Sequence, residues 1–202
     1  MKLKALSLQD LEQVRQWRNE QSAMLRTPFL LTKEQQEQFY REVICDRQAN
    51  ARYWGIWANV PAEVVLYSDK KEIERYKNGE KTNLLIGMVG LENIQWENRL
   101  AEISLLLLPN TMEEYGAEAL RLILHEGFMN MNLDNIYTEV YGCNPAFVFW
   151  NAIATEYDCI TSILPNRKYY NGEYWYSHYI NFEREDFLEH ENTLLKPAQT
   201  VN

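Results

Sequence analysis

A mixed α/β domain with a largely antiparallel sheet is the fold class these 202 residues predict. Three observations carry it. Apolar residues make up 46% and aromatics 13%, enough to fill a core of ordinary size. Short β-prone runs alternate with segments whose apolar positions recur every three or four residues. Turn-forming residues fall between the runs, at Pro28, Asn78-Gly79 and Asn171-Gly172.

Residues 3–6 read as a short strand, and Ser7 caps a helix with Leu8, Leu11, Val14 and Trp17 on one face. Thr32 caps a second helix carrying Phe39, Tyr40, Val43 and Ile44. The aromatic run 51–60 is a strand. A charged stretch with a turn at Asn78-Gly79 makes residues 60–84 a hairpin arm. Strands at 84–94 and 100–108 follow, joined through a turn at 96–99. A polar turn then opens a helix over 109–131, with Leu120, Ile123, Leu124, Gly127, Phe128 and Met131 facing the core. Residues 135–141 are a strand. Asn144 caps the next helix, with Pro145 at its first position. Strands 159–164 and 173–182 end the pattern, and the charged tail reads as a frayed helix with a loose end.

The net charge of −9 opposes binding to a polyanion, so nucleic acid is not expected as a partner, and the longest central apolar run, "LLLLP", is too short to span a bilayer, so neither is a membrane. A basic or amine-bearing partner suits that field better. Cys45, Cys143 and Cys159 are widely spaced, with no C-x-x-C pair, which fits reduced thiols and a cytoplasmic location. The three histidines have no ligand spacing, so no metal site is expected. Phosphate-loop, dinucleotide and nucleophile-elbow motifs are absent.

What remains is an arrangement. The segments "WRN" (17–19), "IGMVGLENIQWENRLAEISLLLLP" (86–109), "EYGAEALRLILHEGFMNMNLDNIYTEVYGCNP" (114–145) and "YYNGEYWYSHYINFERED" (169–186) together resemble the GNAT superfamily of N-acetyltransferases. The nearest branch by resemblance acts on ribosomal-protein N-termini and on aminoglycosides. The likeness covers residues 1–185 as one domain, leaving 186–202 as a charged tail. It implies a GNAT fold, a central mixed and mostly antiparallel sheet with helices on both faces.

The resemblance also implies a transferase whose co-substrate is acetyl-CoA and whose acceptor is an amine, a protein N-terminus or a small molecule. The pantetheine arm would pair with backbone near Leu106 and Leu108, as an added strand does. The pyrophosphate would sit on the turn of Thr111, Tyr115, Gly116 and Ala117. Asn144 and Trp150 would lie along the cofactor arm, and Glu102 would take the amine's proton. The other reading of Glu102 is a polar strand residue with a structural role. Family habit allows a homodimer.

Two departures keep an alternative open. Glu113 and Glu114 stand in the phosphate turn, Glu114 where the family places glycine. A carboxylate near a phosphate charge repels it by roughly 1 kcal/mol in water and roughly 4 at intermediate dielectric. The helix after Asn144 also lacks the family's mid-helix tyrosine, the proton donor to the thiolate. It reads Phe149-Trp150-Asn151 there, and Tyr157 comes too late for the role. The alternative is a GNAT-fold binding or assembly module without acetyl-CoA.

Overall fold

The computed structural model describes residues 1–59, 83–109 and 113–195. Among them run seven strands in a single sheet, in the order β1-β2-β3-β4-β5-β7-β6. The expected fold class, a mixed α/β domain with a mostly antiparallel sheet, holds. The arm expected at 60–84 lies outside the described residues, save for Asn83 and Leu84, which begin β3. Two compact units divide the chain. One comprises Met1–Asn93 with Ile103–Ile123, the other Ile94–Glu102 with Leu124–Asn202.

The first unit starts with β1 (Lys2–Lys4), which stops before Leu6, two residues short of the expected end. Helix α1 (Leu8–Glu20) begins at Ser7, whose hydroxyl accepts from the Asp10 amide while the Asp10 carboxylate accepts from the Ser7 amide. Both bonds satisfy amides that a helix start leaves orphaned. Leu11, Val14 and Trp17 are buried as the spacing predicts, whereas Leu8 is exposed. Thr32 caps α2 (Lys33–Phe39) in the same way with Gln35, and a π-helical turn, Tyr40–Ile44, continues it. β2 (Arg52–Asn59) pairs antiparallel with β1 and with β3 (Asn83–Gln95). β3 is apolar almost throughout, which suits a strand covered on both faces. At Gly87 a Cβ would come within 2.6 Å of the Leu106 carbonyl, so glycine there permits the close approach of β4 (Leu100–Leu107).

In the second unit, β5 (Asn135–Tyr141) pairs antiparallel with β7 (Glu173–Glu183), and β7 with β6 (Ile160–Tyr170). Asn171 and Gly172, at φ 52° and 85°, make the left-handed two-residue turn expected there. β6 is longer than expected because it resumes after an irregularity between Leu164 and Lys168. Arg99 anchors the start of the β4–β5 ladder. Its carbonyl accepts from the Asp134 and Asn135 amides, and its guanidinium meets the Asp134 carboxylate at 2.6 Å. Helix α3 (Glu113–His125) gives way to a π-helical turn, Glu126–Asn130, so the α-helix ends sooner than the expected 131. Helix α4 spans Phe147–Glu156. The final helix, α5 (Arg184–Leu195), is docked by Phe187, which packs on Phe128 at 5.4 Å and stacks on Tyr157.

Candidate active site

Glu102 lies at the end of the short parallel ladder between β4 and β5. That ladder pairs Leu100, Ala101 and Glu102 with Asn135, Ile136 and Tyr137, while β5 itself continues to Tyr141. The carboxylate is 5% exposed, and burial of a charge demands hydrogen-bonding partners. The Tyr137 hydroxyl donates to Oε2 at 3.3 Å. Tyr137 in turn stacks on Tyr179, with centroids 4.9 Å apart and planes at 23°. Burial, and secondly the Glu102 charge, push the Tyr179 phenol above its ordinary 10, so it stays protonated at neutral pH.

Alternation along β5 puts Glu139 and Tyr141 on the same face as Tyr137. Glu139 accepts from the Ser177 hydroxyl at 2.7 Å and from Arg167 at 2.8 and 3.3 Å. One face of this unit therefore carries a buried carboxylate bordered by two tyrosines, with a second, ion-paired carboxylate further along. Such a surface can receive an ammonium group and remove a proton from it.

The opposite face carries Val140, His178, Ile180 and Phe182 beneath α4. Here the expected helix start is corrected. Asn144 does not cap α4. Its Oδ1 accepts from the Ala146 amide and its carbonyl from the Phe147 amide, both at 2.9 Å, so it closes a turn before the helix. Pro145 lies in that turn and Ala146 occupies the cap position without a side-chain bond. A proline following asparagine favours an Asx turn as much as a cap. Trp150 is buried and meets Phe149 edge to face. Tyr157 closes the far end of α4, buried among Phe182, Phe187 and His190. His178 Nδ1 lies 2.7 Å from Asn151 Oδ1, and its ring packs on Phe147 at 4.9 Å.

In the first unit, Leu106 and Leu108 are buried. The Leu108 amide donates to the Ile86 carbonyl at 2.8 Å, so its backbone is turned toward β3. Successive residues of a strand present their backbone groups to alternate edges, which turns those of Leu105 and Leu107 the other way. The Leu107 carbonyl accepts from Gln21 Nε2 at 3.0 Å. Tyr115 and Ala117 are half-buried and Gly116 is buried in the first turn of α3. Thr111, and the side chains of Glu113 and Glu114, lie outside the described residues.

The acetyltransferase (GNAT) domain family matches residues 1–148, well over half of the chain. The chain belongs to the GNAT acetyltransferase family. Members of this family use acetyl-CoA as co-substrate. No curated protein matches the sequence of this GNAT chain. Among solved structures, its fold is similar to glutamine-substituted mutant forms of the spermidine/spermine N-acetyltransferase from Vibrio cholerae. That likeness has a TM-score of 0.70 and 21% identity, over 94% of this chain and 97% of that one. The spermidine N-acetyltransferase of Vibrio cholerae in complex with CoA and spermine gives 0.69 and 20%, over 93% and 97%. A dodecameric form from the same organism gives 0.67 and 19%, over 93% and 95%.

Tyr137, Asn151 and His178 were not singled out by sequence reasoning. Tyr137 becomes Glu102's partner only through a parallel register that no local pattern encodes. The period-two run 174–179 did signal an aromatic strand.

Proposed function

We propose that this GNAT protein transfers an acetyl group from acetyl-CoA to a primary amine, with Glu102 as the base. The observation that carries the reading is the buried Glu102 carboxylate, held by the Tyr137 hydroxyl at the end of the β4–β5 ladder. An ammonium group is not nucleophilic, and a positioned carboxylate removes its proton as the carbonyl is attacked. The arm of acetyl-CoA lies along β4, pairing with the backbone of Leu105 and Leu107, the residues that alternate with the Leu106 and Leu108 named from the sequence. The pyrophosphate sits at the start of α3, where Gly116 allows backbone approach and the helix dipole favours an anion.

The acceptor is a small polycationic amine rather than a protein N-terminus. The net charge of −9 favours encounter with such cations, and the aromatic and acidic face of Tyr137, Glu139 and Tyr179 suits alkylammonium chains. The fold neighbours act on spermidine and spermine. The protein works in the cytoplasm, a reading its three free thiols support. It assembles as a homodimer, which sedimentation at micromolar concentration tests.

Thermal unfolding with acetyl-CoA provides the test. Ligand at 100 times its Kd adds about 2.7 kcal/mol, a rise of roughly 5 to 10 °C in Tm for a chain of this length. No rise at millimolar acetyl-CoA contradicts the proposal.

A further inference from the structure

We propose that His178 is the acid that protonates the departing CoA thiolate, positioned for that step by Asn151. The inference rests on the acetyl-transfer reading. In the reaction an N–C bond forms and the C–S bond breaks. The ammonium loses one proton to Glu102 before it attacks, the second leaves the nitrogen to water as the tetrahedral adduct collapses, and sulfur takes a proton from the His178 imidazolium, so one proton is released overall. Both side chains then exchange protons with water, which restores the starting state.

The stretch Phe147 to Ala154 of α4 includes no side chain that gives up a proton near neutral pH, and Glu156 at its end pairs with His190. The imidazole that rests on this helix comes instead from β7. Its Nδ1 lies 2.7 Å from Asn151 Oδ1, and a side-chain amide oxygen can only accept. Nδ1 therefore carries a proton and Nε2 is the nitrogen left to give one. Giving it up leaves the neutral tautomer protonated at Nδ1, which keeps the bond to Asn151. A histidine held through one nitrogen for proton transfer at the other is a recurrent solution.

The placement fits the step. His178 is the register partner of Val140, three residues beyond Tyr137, where β5 stops pairing with β4. At ~3.3 Å per residue that is about 10 Å along the strand. His178 lies on the α4 face, while Glu102 and Tyr137 lie on the other. The proposed base and acid thus stand on opposite faces of the β5–β7 sheet.

Around the imidazole, α4 contributes Phe147 and Asn151, β5 contributes Val140, and β6 contributes Ile163. Tyr176 on β7 is the titratable side chain in ring contact with it, at 6.1 Å. Gly142 leaves room for the Tyr176 ring, which a Cβ there would approach to 2.8 Å.

Three variants and one spectrum test the assignment. His178→Gln should bind acetyl-CoA as the wild type does but lose ~10²-fold in kcat, the usual size of an acid–base contribution. It should also lose the basic limb of the pH–rate profile. Asn151→Ala should lower kcat less, while Asn151→Asp should keep turnover and move the basic limb to higher pH, because a carboxylate favours the imidazolium. In the wild type, the His178 imidazole resonances should shift when CoA is added. A His178→Gln enzyme with wild-type kcat and pH profile would overturn the inference and leave the acetyl-transfer reading standing. So would CoA binding that leaves the His178 resonances unmoved. A wild type that binds no CoA would overturn both.

Discussion

Glu102, the proposed base, accepts a hydrogen bond from a partner 35 positions later. Tyr137 reaches it because β4 and β5 run parallel for three residues, and the stacked Tyr179 holds the Tyr137 ring in place. Removing the hydroxyl with Tyr137→Phe forfeits one charge-assisted bond, about 1.5–3 kcal/mol. If that bond serves the transition state, kcat falls about 10- to 100-fold with KM for acetyl-CoA unchanged, as steady-state kinetics will read. The cysteines respond to their own surroundings. Burial pushes the Cys159 thiol up to about 12, with the Asp186 and Asp158 charges adding to it, whereas Cys45 is exposed. Since the thiolate is the nucleophile, iodoacetamide at pH 8 should label Cys45 and spare Cys159 until the protein unfolds, as peptide mapping will show.

Among the elements, the sheet leaves no room for a side chain at Gly87. A Cβ there meets the Leu106 carbonyl at 2.6 Å and the Leu107 side chain at 2.8 Å, and a strand backbone cannot yield as a surface side chain does. Gly87→Ala should cost about 1–3 kcal/mol, read as a lower urea midpoint at unchanged slope. Because β4 carries Leu105 and Leu107, the same variant should weaken acetyl-CoA binding more than Glu102→Gln does. Helix α1 supplies a pH-dependent contribution. The Arg15 guanidinium, bonded to Glu12, lowers that carboxyl from the ordinary 4.5 to about 2. A depressed carboxyl stabilises the fold above its unfolded pKa, and the contribution is lost as pH falls through the folded one. The stability gap between wild type and Arg15→Ala should therefore be full above pH ~4.5 and close toward pH ~2, as urea titrations across that range will test.

Helix caps were the most legible elements, because Ser7 and Thr32 act through residues three positions away. The start of α4 was misread because asparagine before proline satisfies two local geometries, and packing of α4 on β7 selects one. The charged tail was read as a frayed helix, and α5 is helical, but its docking was not legible. Phe187 alone among charged neighbours gives little periodicity, yet it is 1% exposed.

For the whole molecule, the order of strands and helices was readable from alternation, periodicity and turn residues, and the family from the order of its segments. The candidate site was readable only in part. Glu102 stood out as a carboxylate in an apolar strand, but Tyr137, Tyr179 and the Asn151–His178 pair depend on registers among β4, β5 and β7. Those registers join residues that no sequence window contains. The net charge also acts at this scale, as a field that draws in cations. For a polyamine acceptor, kcat/KM should fall severalfold between 0.01 and 0.15 M salt as the Debye length contracts from about 30 to about 8 Å. A monoamine acceptor should show a smaller change. The most direct measurement is the initial rate of CoA release from acetyl-CoA with a polyamine, for wild type and Glu102→Gln side by side. The wild type should turn over, and the variant should lose ~10²–10⁴-fold in kcat with acetyl-CoA binding retained. A wild type that releases no CoA, or a variant that matches its rate, would rule out acetyl transfer assisted by Glu102.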